Sequence, residues 1–239
     1  MKSIGLKITR FNPEINESPY IQTFNNIQYV PTDTVLDVLL RIKNDIDSSL
    51  TFRYSCKCTI CGSCAMCIND INALACETKI VNVERDGIVK ISPLKNFPVI
   101  KDLVANIEPL IENLKKISPW LIRDHTKPLP QKEYIIKPGE INILLKAIDR
   151  CIICGICSSI QDFNLKSKST VDQIAMLKTM KFLLDPRDSI SKARIMQLVE
   201  LGLLKHPEEC KAVCPKGIDI SNDIIKALQK EAKELGVVL

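Results

Sequence analysis

Residues 55–79, SCKCTICGSCAMCINDINALACETK, carry six cysteines: Cys56, Cys58, Cys61, Cys64, Cys67 and Cys76. Thiols at this density have few fates: cross-linking, binding metal, or serving an electron-carrying centre. The remaining cysteines fall into two smaller groups, Cys151, Cys154 and Cys157, then Cys210 and Cys214. The total of 11 is odd, which argues against a complete disulfide framework. At 239 residues the chain is long enough to bury a core without covalent staples. No stretch approaches the ~18 apolar residues of a membrane-spanning helix. The start, MKSIGLKITRF, alternates like a strand and lacks the apolar centre of a signal peptide. A cytoplasmic chain is therefore expected, in which thiols stay reduced and a cysteine cluster means metal. A net charge of +5 and 5% aromatic residues, with no basic-aromatic stripe, give no footing for nucleic acid, and no such partner is expected.

Two-residue alternation over 3–10 and 20–30, separated by the turn-forming NPEINESP, predicts a β-hairpin. PTDTVLDVLLRIKNDI then predicts a helix capped by Thr32 or Asp33, with Val35, Leu36, Val38, Leu39, Leu40 and Ile42 on its apolar face. After the cysteine-rich loop, short strands are expected around 73–83 and 87–92. VIKDLVANIEPLIENLKKI has helical period, with Pro109 kinking or dividing it. The proline-rich segment at about 118–139 reads as an extended connector. Helices are expected at 140–150, 170–184, 189–204 and 217–235. The expected class is α+β, with a ferredoxin-like (β-grasp) domain over 1–98 and an all-helical domain over 99–239.

Cys56, Cys61, Cys64 and Cys76 have the spacing C-x4-C-x2-C-x11-C, whose first three positions match a plant-type [2Fe–2S] site. Gly62 and Ser63 are small enough to bring backbone N–H groups close to the sulfurs. Zinc is the alternative for four thiolates, but paired C-x2-C knuckles are missing here. Cys58 and Cys67 fall outside the pattern, either as alternative ligands or as free thiols.

CIICGIC gives C-x2-C-x2-C, three ligands of a bacterial-type [4Fe–4S] cluster. The cysteine that usually follows is replaced by Gln161, then Asp162. CKAVCPKG supplies a distant Cys-Pro instead, completing the set Cys151, Cys154, Cys157 and Cys214. Cys210 is left over. His206, Glu208 and Glu209 lie near it, but a surface loop is the simpler reading of that stretch, and His125 in the connector is expected to be exposed.

The motifs SPYIQTF, VLDVLLRIK, FRYSC, CGSCAMCIN, FPVIKDLV, CIICGIC, FLLDPRD and CKAVCPKG together resemble the iron–sulfur subunit of the succinate dehydrogenase/fumarate reductase family over essentially the whole chain. The resemblance implies an electron-transfer subunit. A FAD-containing flavoprotein partner would carry the carbon chemistry, a membrane-anchor subunit would complete the complex, and electrons would pass singly to a quinone. It implies [2Fe–2S] ligation by Cys56, Cys61, Cys64 and Cys76, and [4Fe–4S] ligation by Cys151, Cys154, Cys157 and Cys214. Family members carry a third, [3Fe–4S] cluster on cysteines at the positions of Gln161, Leu204 and Cys210. Only Cys210 is retained, as a possible remnant, so the [3Fe–4S] cluster is expected to be absent. The family's quinone-bordering tryptophan is also missing from its usual place, the single Trp120 lying elsewhere. Location on the inner face of the cell membrane through partner subunits is the matching expectation. A stand-alone ferredoxin-like carrier and a redox-inactive structural subunit are the competing classes. FPVIKDLV and FLLDPRD, which hold no ligands, speak against a stand-alone carrier and are expected as interdomain and partner packing surfaces.

Overall fold

The computed structural model describes residues 2–128, 135–136, 138–160, 173–201, 204 and 214–238. The chain divides into two compact units: Met1–Ile107 with Ile152–Leu165, and Glu108–Cys151 with Lys166–Leu239. Together they are α+β.

In the first unit, β1 (Lys2–Arg10) and β2 (Tyr20–Tyr29) form the expected antiparallel hairpin. A mixed five-stranded sheet has the order β2-β1-β5-β3-β4, with β3 (Ala65–Ile68), β4 (Ile71–Leu74) and β5 (Ile88–Ser92). β1 and β5 run parallel at its centre. Alternation on β1 sends Ile4, Leu6 and Ile8 into the core. Helix α1 (Val35–Asp45) buries Val35, Leu36, Val38, Leu39 and Ile42. Leu40 is only half-buried, at the edge of that stripe.

The cap of α1 is Thr34, not Thr32 or Asp33. Thr34 Oγ1 accepts from the Asp37 N–H (3.2 Å), and the Asp37 carboxylate accepts from the Thr34 N–H (2.9 Å), a reciprocal capping box. Asp33 instead closes the preceding turn, accepting from the Val30 N–H (3.0 Å) and pairing with Arg41 (3.2 Å).

The strand expected at 73–83 is replaced by the β3–β4 hairpin and a helical turn, α2 (Ile80–Val83). The hairpin turn is Asn69-Asp70, with φ of 46° and 68°. Two left-handed residues match the twist of the flanking strands, and Asn and Asp tolerate that conformation best after glycine. The helical period of 99–107 also gives way to strands, β6 (Val99–Lys101) and β7 (Val104–Ala105). Helix α3 begins only at Glu108 (Glu108–Lys116), because a proline fits the first turn, where its missing N–H has no intrahelical partner.

Those strands belong to the first unit through Arg10 and Asp102, both buried. Asp102 accepts from Arg10 Nε (3.0 Å), the Phe11 N–H (3.0 Å) and the Thr51 N–H (2.8 Å). Arg10 also reaches Asp47 (2.7 Å), Ser49 (2.8 Å) and Gln22. One buried pair thus ties β1, the 47–51 loop and the β6–β7 turn together. The unit containing the cysteine-rich loop therefore runs on to Ile107, past the boundary expected at 98.

The second unit is helical. α4 (Pro138–Ile143) continues as a wider π-helical stretch, Leu144–Ile148. α5 (Gln173–Leu183) is buried nearly all round and packs against α3, α6 (Ser191–Glu200) and α7 (Lys226–Glu234). A π-helical stretch, Ile220–Ile225, leads into α7, with the Asp219 side chain accepting from the Asn222 N–H (3.0 Å). Residues 129–134 of the connector and the start of the 170–184 helix lie outside the described residues.

Arg194 on α6 is buried and anchors the connector. It pairs with Asp188 through two bonds (3.1 and 2.7 Å) and donates to the carbonyls of Ser118 (2.9 Å) and Trp120 (2.8 Å). Its guanidinium lies 4.8 Å from the Phe182 ring centroid. FLLDPRD therefore supplies internal packing, through Phe182 and Asp188. FPVIKDLV does likewise through Phe97, Leu103 and Asp102. Neither segment needs a partner surface to explain it.

Replacing Asp102 by Ala removes one partner of a buried charge and should cost about 3 kcal/mol, read as a lower urea midpoint at unchanged m-value. The hydrogen bond from Ser49, followed by burial acting in the opposite sense and then the bond from Arg10, holds the Asp47 carboxyl well below the usual carboxylate range. A depressed carboxylate stabilises the fold above its unfolded pKa, about 4, and that stabilisation is lost as pH falls toward the folded value. Asp47→Asn should accordingly lose less stability than the parent chain between neutral pH and pH 3 in the same assay.

Candidate metal centre

The cysteine-rich loop starts from a fixed point. Thr51 is held from both sides of its peptide, its N–H by Asp102 and its carbonyl by the Leu103 N–H (3.2 Å). Phe52 is buried, and Arg53 Nη1 donates to the Ala105 carbonyl (3.1 Å). Beyond these, Lys57, Thr59 and Gly62 have φ of 57°, 61° and 70°. Left-handed residues at short intervals turn successive N–H groups inward, the geometry of an anion-binding nest. Here they converge on sulfur. Cys56 Sγ accepts from the N–H groups of Cys58 (3.4 Å), Ile60 (3.3 Å) and Cys61 (3.3 Å).

Cys76 comes from further along the chain, and the β3–β4 hairpin delivers it. Ala65 pairs with Leu74, so Cys64 and Cys76 flank the open end of the hairpin, and the Ala75 N–H donates to the Cys64 carbonyl (3.1 Å). Thr59 Oγ1 lies 3.9 Å from Cys76 Sγ, and Ser63 Oγ 3.1 Å from Cys61 Sγ. The fold thus gathers the four thiols that the spacing singled out, with hydroxyls and N–H groups around them. The two extra cysteines differ from one another. Cys58 is exposed beside Cys56, while Cys67 is a buried strand residue on β3.

The thiols are electrostatically unlike. The N–H groups of Cys58, Cys61 and Ile60 pull Cys56 down to about 6, whereas burial pushes Cys64 up to about 12. The hydrogen bond with Cys56 raises Cys58. Thiolate, not thiol, binds metal, so loading this site must release a proton from Cys64.

Of the second cysteine group, Cys154 and Cys157 lie in the first unit. Ile153 and Gly155 have φ of 52° and 80°, so the loop again alternates through left-handed positions. Ser159 pins it, since its Oγ donates to the Ile156 carbonyl (2.6 Å) and accepts from Asn72 Nδ2 (2.6 Å), and its carbonyl accepts from Asn96 Nδ2 (2.8 Å). Neither Asn72 nor Asn96 was singled out in the sequence, because lone asparagines near turns carry no distinguishing pattern. Cys157 and Ser158 are buried, and Ser158 Oγ has no hydrogen-bond partner among the described residues. Cys151 and Cys214 fall in the second unit and are half-buried. Gln161, His206, Glu208, Glu209 and Cys210 lie outside the described residues, and His125 is exposed.

Residues 5–112 match the family described as "2Fe-2S iron-sulfur cluster binding domain". The chain is 34% identical to the succinate dehydrogenase [ubiquinone] iron-sulfur subunit of Dictyostelium discoideum, over 92% of this chain and 80% of that protein. It is 33% identical to the fumarate reductase iron-sulfur subunit of Mycobacterium tuberculosis, over 92% and 89% of the two chains. The Haemophilus influenzae fumarate reductase iron-sulfur subunit gives 31%, over 97% and 94%. This chain belongs to the succinate dehydrogenase/fumarate reductase iron–sulfur subunit family. Among solved structures, a chain of the Mycobacterium smegmatis Sdh1 complex in the apo form matches with a TM-score of 0.81 at 22% identity, covering 97% of this chain and 96% of that one. That likeness is one of fold. Like its family, the chain is the iron–sulfur subunit of an oxidoreductase and transfers electrons through iron–sulfur clusters.

The contrast between Cys56 and Cys64 is open to alkylation of the iron-free subunit. Cys56 should react with iodoacetamide at a rate that rises through about pH 6 and then levels, because its thiolate is fully formed above that pH. Cys64 should stay unmodified until the pH nears 12 or the fold opens. Peptide mapping by mass spectrometry reads both.

Proposed function

We propose that the subunit relays electrons between a FAD-containing flavoprotein, where succinate or fumarate reacts, and a quinone or other acceptor, by way of a membrane-anchor subunit. Two centres carry the relay. Cys56, Cys61, Cys64 and Cys76 hold a [2Fe–2S] cluster, and Cys151, Cys154, Cys157 and Cys214 a [4Fe–4S] cluster. The observation that carries the first assignment is the convergence of three backbone N–H groups on Cys56 Sγ in a loop of four gathered thiols. Hydrogen bonds to sulfur of this kind tune the potential of an iron–sulfur centre. The second assignment rests on the C-x2-C-x2-C run with a distant Cys-Pro, and on the buried Ser158 hydroxyl next to Cys157, which has no partner among the described residues and is a donor that a cluster sulfur would satisfy. Bound clusters supply one-electron chemistry. The chain's own residues ionise Cys56, bury Cys64 and fix the spacing of the thiols.

On this reading the first unit is a plant-type ferredoxin-like (β-grasp) domain and the second a bacterial ferredoxin-like helical domain, with the difference from the division 1–98 and 99–239 that the first unit extends to Ile107 and also takes in Ile152–Leu165. The [3Fe–4S] cluster is absent. Supporting that, Leu204, at one of the three positions where the family ligates it, is an aliphatic side chain 2% exposed, and its carbonyl is taken by Gln229 Nε2 (2.9 Å). Cys58 and Cys67 are free thiols. No helix among the described residues is long and apolar enough to cross a membrane. On the present reading the subunit sits on the cytoplasmic face, peripheral to the membrane and held there by its partners.

Iron and sulfide analysis with EPR of the anaerobically purified complex tests this. Roughly six irons per chain, as two clusters of these types require, and no oxidised [3Fe–4S] signal are expected. Roughly nine irons with that signal would overturn the two-centre relay.

A further inference from the structure

The two cysteine loops meet inside the first unit at one residue. A Cβ built on Gly62 would lie 2.8 Å from Cys154 Cβ, 3.0 Å from Cys154 Cα and 3.1 Å from the Ile152 carbonyl oxygen. Real Cβ atoms do not approach side-chain or backbone carbon so closely, and none of the three atoms is the free end of a flexible chain. The backbone on both sides is constrained as well. Gly62 itself is left-handed, at φ 70°. Across from it Ile153, a β-branched residue, is held at φ 52°, a conformation such residues avoid unless their surroundings impose it. Cys61, Gly62, Ile153 and Cys154 also line a single cavity of about 150 Å³.

We propose that Gly62 is the positioning residue that lets the first cysteine loop lie directly against Cys154, and that this contact couples the two redox centres. The proposal rests on the two-centre reading above. Gly62 lies between Cys61 and Cys64, and Cys154 is the middle member of its own run, so one van der Waals contact joins a loop of each ligand set. Spacing arguments assign Gly62 only to close backbone approach around the first set. The structure gives it a second neighbour, more than ninety residues away in sequence. Any side chain at position 62 has to push Cys154 and the Ile152 peptide away, altering solvent access and hydrogen bonding at the second site, two determinants of a cluster's potential.

Gly87 provides the control. Its φ is 72°, matching Gly62, but a Cβ there would meet nothing within 4 Å. Gly87→Ala therefore carries the backbone cost of a left-handed alanine without the collision. Each variant would be purified as the assembled complex, and the EPR spectra and midpoint potentials of both clusters recorded beside iron content. Gly62→Ala is expected to shift the potential of the [4Fe–4S] signal, or to lose that signal, with Gly87→Ala unchanged from the parent. Effects confined to the [2Fe–2S] signal, or equal in the two variants, would overturn the coupling. Should Gly62→Ala fail to assemble, Ile153→Gly decides by the reverse route. It relaxes only the second loop, so a shifted [2Fe–2S] spectrum supports the contact and an unchanged one refutes it. Absence of a [4Fe–4S] signal in the parent complex would instead refute the two-centre reading, so the two failures are distinguishable.

Discussion

The Arg10–Asp102 pair is the interaction on which the geometry of the first cysteine site depends. Buried charges are costly unless each is paired and its remaining hydrogen-bonding capacity filled. Here both conditions are met by groups from two stretches that meet Asp102: Arg10 with the Phe11 N–H, and the 47–51 loop with Asp47, Ser49 and the Thr51 N–H. The result is a fixed exit for the chain at Thr51, immediately before the loop that carries Cys56. The loop has little regular structure of its own, so the precision with which it presents N–H groups to sulfur is inherited from that anchor and from the β3–β4 hairpin at its far end.

The second unit uses the same device for a different purpose. Arg194 pairs with Asp188 and collects carbonyls from the start of the proline-rich connector. An extended segment with few internal hydrogen bonds has free carbonyls, and a fully donating guanidinium is well suited to satisfy several at once. In both units a buried arginine thus fixes a stretch of chain that secondary structure leaves unpaired. The acidic residues Asp102 and Asp188 find their explanation there.

Within the cysteine loop, backbone conformation and electrostatics are one problem. Lys57 and Thr59 accept left-handed backbone that only glycine adopts freely, and what they obtain is the inward turn of the neighbouring N–H groups. Those groups hold Cys56 as thiolate near neutrality while burial keeps Cys64 protonated. Metal-free, the site is therefore not a pocket of four mutually repelling anions. Ionisation of Cys64 belongs with the binding of iron, which supplies the compensating charge.

Much of this was legible in the residues themselves. The hairpin of β1 and β2 and the apolar stripe of α1 followed from periodicity, which depends only on the geometry of a strand or helix burying one face. The proposed ligand sets rest on cysteine spacing, because a cluster would impose its own dimensions on a short loop. The errors came where local pattern was outvoted. The cap of α1 moved to Thr34 once Asp33 was taken by Val30 and Arg41. The helical period of 99–107 yielded to two short strands because Asp102 is needed at the turn between them to face Arg10, more than ninety residues earlier. By itself, then, the sequence determined the class of fold, the cysteines available and the chemistry they suit. Only the tertiary structure decided which distant groups charge, shield and space them: the partners of Asp102, the N–H groups aimed at Cys56, and the approach of Gly62 to Cys154. Spacing along a chain records what neighbours can do together, whereas contacts between remote segments are fixed by the packing of the whole and leave no periodic mark.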